Sequence, residues 1–96
     1  MPAAHRQDDS RRCGAVTIVI GQDFTFADGK LWAVEGDPNS DGDGQLIPSQ
    51  SGVFIAGIPV IVDTPDHAAP DALCIPLDGE HCDPKTAGGS PGTFAY

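Results

Sequence analysis

Three cysteines (Cys13, Cys74, Cys82) and three histidines (His5, His67, His81) are the side chains of this 96-residue chain best suited to chemistry. Thiolates and imidazoles together are the donors of structural zinc and iron sites. The cysteine count is odd, and the opening stretch MPAAHRQDDS has no apolar core of the kind a secretory leader needs. Both features argue against a disulfide framework and for a metal site in a reduced protein. A plainer alternative is one buried thiol, one exposed thiol and solvent-facing imidazoles. The residues Asp37-Pro38-Asn39-Ser40-Asp41-Gly42 match the start of a calcium loop, D-x-N-x-D-G. The twelfth position is Pro48 rather than Glu and no helices flank it, so a solvated acidic turn is the better reading. Catalysis is not expected. Ser10, Ser49, Ser51 and Ser90 lack a nucleophile elbow. The acid pairs Asp8-Asp9 and Asp41 with Asp43 sit in loops with no apolar pocket to raise a pKa.

The elements that must position these groups are short. Gly and Pro number 12 and 9, leaving little room for helices of more than two turns. Ile, Leu, Val and Phe supply only 21 residues, a thin core that needs a staple: a disulfide, a metal or a partner chain. With 14 acidic and 5 basic residues the net charge is −9, the opposite of a nucleic-acid footprint. No stretch approaches the length of a membrane span. One small all-β domain over 1–96 is the expectation.

Residues 15–20 are β-branched and bounded by Gly14 and Gly21, and read as a strand. Asp28-Gly29 between two apolar runs is a type I′ hairpin signal, and Ala56-Gly57 marks a second hairpin. Residues 63–91 read as loop. A shift of 28 superposes Phe26 on Phe54, Gly29 on Gly57 and Val34 on Val62, so the hairpins are copies of one unit. A shift of 57 puts Pro2 on Pro59 and Asp9 on Asp66, and Gly92-Thr93-Phe94 matches Gly52-Val53-Phe54. A third hairpin is thus cut at its turn. Its halves are the chain ends, which should lie side by side around a pseudo-threefold axis.

This arrangement resembles the PAAR-repeat family. The resemblance is carried by Met1-Pro2-Ala3-Ala4-His5-Arg6-Gln7-Asp8-Asp9, by Gly52-Val53-Phe54-Ile55-Ala56-Gly57-Ile58-Pro59-Val60, and by Gly88-Gly89-Ser90-Pro91-Gly92-Thr93-Phe94. His5 interrupts the namesake motif, and Asp8 stands where the family has Gly. The resemblance implies a small cone of short hairpins, with adjacent termini and a metal near the apex. It implies a structural tip that caps and sharpens the trimeric β-helical spike of a contractile phage tail or a type VI secretion machine. One tip would sit on each trimer and touch the target membrane only transiently. No nucleic acid or small-molecule substrate is expected. The setting would be a phage virion tail tip, or the bacterial cytoplasm followed by secretion with the spike. A small metal- or calcium-binding adaptor of other function is the alternative.

The resemblance also implies a ligand set. Cys13 follows Asp9 where the family often has His before Gly. Cys74 precedes Ile75-Pro76, like the family's Cys-Pro segment. His81 leads into the last copy. The fourth ligand is His67, with Cys82 as rival, because neighbours in an extended chain point to opposite sides. His5 reads as a packed histidine. Zinc suits Cys13, His67, Cys74 and His81, and iron is the runner-up.

Overall fold

The structure, a computed structural model, describes residues 2–50 and 52–95. Met1, Ser51 and Tyr96 lie outside it. The protein is mostly coil and very short strands. Strand β1 (Phe26–Ala27) pairs antiparallel with β2 (Lys30–Leu31), and β3 (Phe54–Ile55) pairs with β4 (Ile58–Pro59). Both turns are of the primed kind. Asp28 and Gly29 have φ of 49° and 84°, and Ala56 and Gly57 have 52° and 81°. The chain ends supply a third pair: Ala3 bridges Phe94 antiparallel, and the Ala95 N–H donates to Pro2 O (3.1 Å).

A ring of backbone hydrogen bonds joins the three pairs. The His5 N–H donates to Ile61 O, the Ile61 N–H to Ala33 O and the Ala33 N–H to His5 O, at 3.1, 2.9 and 2.8 Å. These residues are 28 apart, fully buried, and each gives and receives one bond. The flanking bridges follow the same cycle: Ala4 with Val62, Arg6 with Trp32, Val34 with Val60. A second cycle lies further along each unit: Thr17 with Asn39, Leu46 with Ala68, Thr86 with Arg11. Each unit thus passes through hairpin, first ring, second ring and excursion loop in that order. Closure pairs each hairpin with its neighbours through Ala4–Val62, Arg6–Trp32 and Val34–Val60.

The register differs from the sequence expectation by one residue. Ala3, Leu31 and Pro59 are the equivalent partners of Phe94, Phe26 and Phe54, so the hairpin repeat is 56, not 57, between first and third units. The extra residue lies in the turn 63–66, which holds the cis Thr64-Pro65 bond. Three buried carboxylates brace these turns. Asp9 Oδ2 accepts the Arg6 N–H (2.9 Å), Asp37 Oδ2 the Val34 N–H (2.8 Å) and Asp66 Oδ2 the Val62 N–H (3.1 Å). The last reaches back four residues instead of three. Asp8, where the resemblance wants Gly, has φ of 69° and matches Gly36 at 89°. Asp is among the few residues that tolerate this region.

The expected strand at 15–20 does not form. Its amides go to five different partners: Val16 to Ser40 Oγ, Thr17 to Asp9 O, Ile18 to Pro38 O, Val19 to Gln7 Oε1 and Ile20 to Asp37 Oδ1. The span 63–91 holds a four-residue helix α1 (Cys74–Leu77) and a 3-10 turn (Gly79–Cys82). The core is small and aliphatic. One group is Val19, Ala33, Leu46, Ile61 and Ala68; the other is Val34, Ile55 and Val60 with Trp32 half-buried against it. No buried side-chain polar atom among the described residues lacks a partner. No helix among them is long and apolar enough to cross a membrane. Gly89 sits at the seam between the chain ends. A Cβ there would lie 2.8 Å from Ala3 Cβ and 2.9 Å from Ala4 O. Gly89→Ala should therefore cost about 1–3 kcal/mol in denaturant unfolding.

His5 is packed inside, as its sequence context suggested. The Thr17 hydroxyl accepts the Arg11 Nε–H (2.6 Å), leaving its own hydrogen for His5 Nε2 (2.5 Å), while His5 Nδ1–H donates to Gly88 O (2.7 Å). The ring is neutral. Burial, opposed by the Gly88 contact and aided by the Arg11 cation, pushes its pKa down from 6.5 to about 4. A folded value below the unfolded one means stability is present above pH 6.5 and is lost as pH falls toward 4. The loss should reach about 3 kcal/mol. Asp28, Asp71 and Asp83 are held below their usual 3.8, so their acid losses come at lower pH. Unfolding measured from pH 7 to 4.5 should show this loss, and His5→Gln should flatten that slope.

Candidate metal centre

Cys13, Asp41, Asp71 and His81 present donor atoms that all lie within 4.8 Å of one another. Each excursion loop contributes. Cys13 comes from the first unit, Asp41 from the second, and Asp71 with His81 from the third. His81 Nδ1 is 3.2 Å from Asp71 Oδ2 and 3.5 Å from Asp41 Oδ2. Cys13 Sγ is 3.8 Å from Asp41 Oδ2. The Asp71 side chain is fully buried, and His81 and Asp41 are only partly exposed.

The electrostatics favour a cation. Burial alone would push the Asp71 carboxyl up. Hydrogen bonds from Asn39 Nδ2 (3.0 Å), the Leu73 N–H (2.9 Å) and His81 outweigh it, and the group is held below its usual range as a carboxylate. The Cys13 thiol goes the other way. Burial pushes its pKa up, and the neighbouring Asp71 and Asp41 charges add to that. A bound divalent ion would supply the missing positive charge and deprotonate the thiol. One sulfur, one imidazole and two carboxylates fit a borderline ion that accepts all three donor types, in structural four-coordination. The separations of 3.2, 3.5 and 3.8 Å are close to the ~3.3–3.8 Å edge of a zinc tetrahedron built from ordinary bond lengths, and every other pair lies within 4.8 Å.

The sequence-derived ligand set meets this cluster in half its members. Cys13 and His81 come together. Cys74 does not join them, because it is bonded to Cys82, its Cα 4.6 Å away, where α1 and the 3-10 turn fold against each other. That disulfide corrects the expectation drawn from the odd cysteine count: two cysteines pair and Cys13 alone stays free. His67 also lies outside, exposed and 2.7 Å from Asp83 Oδ2. Asp41 and Asp71 were not among the expected ligands. The signal for Asp41 was present, since the 28-residue shift that matches Phe26 to Phe54 places Cys13 on Asp41. The calcium-like loop is solvated at Ser40, Gly42 and Asp43 but not at its start. Asp37 is fully buried and its oxygens serve the Ile20, Gly21 and Val34 amides.

Asn39 supports the cluster from behind. Its Nδ2 donates to Asp71 and lies 3.8 Å from Cys13 Sγ, while its Oδ1 accepts the Asp41 N–H (3.1 Å). Gly44 lies against it; a Cβ there would fall 2.8 Å from Asn39 Nδ2. If the cluster holds a metal ion, Asn39→Ala should weaken its binding about 10–100-fold in a chelator competition, because the groups that orient ligands matter nearly as much as the ligands.

Comparison with family models, with curated proteins and with solved structures gives no match for this chain.

Proposed function

We propose that this protein is a PAAR-like spike tip: a structural, metal-stabilised cap on the threefold end of a trimeric β-helical spike. The observation that carries this reading is the cyclic arrangement of three hairpins, which gives a single chain a threefold surface. Phe26, Phe54 and Phe94 hold equivalent hairpin positions, each followed by a buried residue, and are themselves 58%, 50% and 47% exposed. Three matched aromatic side chains on one chain suit a partner with three equivalent subunits. At the other end of each unit, the excursion loops meet at Cys13, Asp41, Asp71 and His81. A zinc ion there would tie three loops that have little core between them. The role is mechanical rather than catalytic, in a phage tail or a secretion spike, with membrane contact limited to passage of the tip. The resemblance read from the sequence suggests the partner, and the cyclic order of the hairpins supports a threefold one.

Mixing the purified chain with a trimeric β-helical spike and weighing the complex by native mass spectrometry tests this. One chain per trimer is expected, with Phe54→Asp weakening binding about 100-fold while the fold is retained. Equal binding by Phe54→Asp, or one chain per spike subunit, would refute it.

A further inference from the structure

The same loop that carries two of the four donors also carries the disulfide. Asp71 lies three residues before Cys74, and His81 directly precedes Cys82. Between them, α1 and the 3-10 turn bury none of their residues, so apolar packing does little to hold the loop's shape. Ile75 and Leu77 are 96% and 63% exposed. Apart from the disulfide, Asp71 and His81 are joined by the Asp71 N–H to His81 O bond (2.8 Å) and by their own side-chain contact (3.2 Å). The crosslink therefore closes the one segment whose spacing sets half of the donor set.

We propose that the Cys74–Cys82 disulfide is a redox clasp on the metal centre: closed, it holds Asp71 and His81 at binding distance; open, the centre loses affinity. This rests on the reading of Cys13, Asp41, Asp71 and His81 as a metal site. The physical basis is preorganisation. A crosslink removes loop conformations that metal binding would otherwise have to remove. The step is thiol–disulfide exchange with a low-molecular-weight thiol. Two glutathione molecules reduce the bond to two protein thiols and are themselves oxidised to glutathione disulfide. Linkage makes the effect reciprocal: whatever factor the closed clasp adds to metal affinity, bound metal adds to the resistance of the clasp to reduction.

The test compares zinc affinity of the oxidised chain with that of Cys74→Ser/Cys82→Ser, by competition with a chromophoric chelator. About tenfold weaker binding by the double variant is expected, a preorganisation effect of the size typical for groups behind a ligand. A second measurement uses the unsubstituted chain in glutathione buffers, with thiols counted by alkylation and mass. Zinc should raise by about tenfold the ratio of squared glutathione to glutathione disulfide that half-reduces the bond. Equal affinity of both proteins, or a glutathione midpoint that zinc leaves in place, overturns the clasp while leaving the metal site standing. Tighter zinc binding after reduction overturns it too, because the freed thiols would then be ligands. If neither form binds zinc, the metal reading itself fails and the clasp with it.

Discussion

Arg11→Met is expected to cost about 3–5 kcal/mol of stability, among the largest losses for a single side chain outside the apolar core. Arg11 is 2% exposed and sits where the three units meet. Its Nε donates to Thr17 Oγ1 (2.6 Å), Nη1 to Gly44 O and Pro84 O (both 2.9 Å), and Nη2 to Asp37 O (3.2 Å). These acceptors come from all three units. Burial pulls the guanidinium down to about 10, with the nearby Cys13, Asp37 and Asp71 opposing, so it stays charged at neutral pH. Methionine keeps much of the length and the apolar stem but supplies no donor, and buried carbonyls would be left without partners. Arg11→Lys should recover part of the loss, since one ammonium cannot reproduce the fork. Chemical unfolding of the three proteins checks this; an Arg11→Met variant within about 1 kcal/mol of the unsubstituted chain would show that the units hold together without it.

Asp37→Ala is expected to cost a comparable amount, about 3–5 kcal/mol. Asp37 Oδ1 accepts the Ile20 and Gly21 amides at 3.0 and 2.8 Å, and Oδ2 accepts that of Val34. Alanine would strand the buried Val34 amide and take the shared acceptor from the partly buried Ile20 and Gly21 amides. This also separates the account from a calcium-loop reading of the same residues. The loss should be the same with calcium present or chelated. A loss that appears only in calcium, together with calcium stabilisation of the unsubstituted chain, would favour the adaptor reading instead.

Much of the architecture was legible in the residues because turns carry strong local signals. Asp28-Gly29 and Ala56-Gly57 each need positive φ at two positions, and those pairs announce it. The match of Gly92-Thr93-Phe94 to Gly52-Val53-Phe54 foretold that the chain ends would pair, and Ala3 does bridge Phe94. The run at 15–20 misled because β-branched composition reports fitness for a pleated surface, not the presence of a neighbour offering a ladder. Its partners are single acceptors: Asp9 O and Gln7 Oε1 from the same unit, Pro38 O, Asp37 Oδ1 and Ser40 Oγ from the next. The repeat of 57 misled because it followed Asp9 and Asp66, which brace their turns over different spans. The ligand set was half legible. Cys13 and His81 were visible as rare residue types, whereas Asp41 and Asp71 were hidden among 14 acidic residues. Only the fold shows that Asp71 is buried and held ionised. Pairing of Cys74 with Cys82 depends on α1 folding against the 3-10 turn, which composition does not reveal.

The central claim is that three loops converge on one ion through Cys13, Asp41, Asp71 and His81. Cobalt(II) titration of the purified chain, followed by absorption spectroscopy, addresses it most directly, because cobalt replaces zinc and reports its donors. The account predicts saturation at one cobalt per chain, with a thiolate-to-metal charge-transfer band that Cys13→Ser abolishes and His67→Ala leaves intact. A spectrum without that band, or one that survives Cys13→Ser and disappears in His67→Ala, would contradict it.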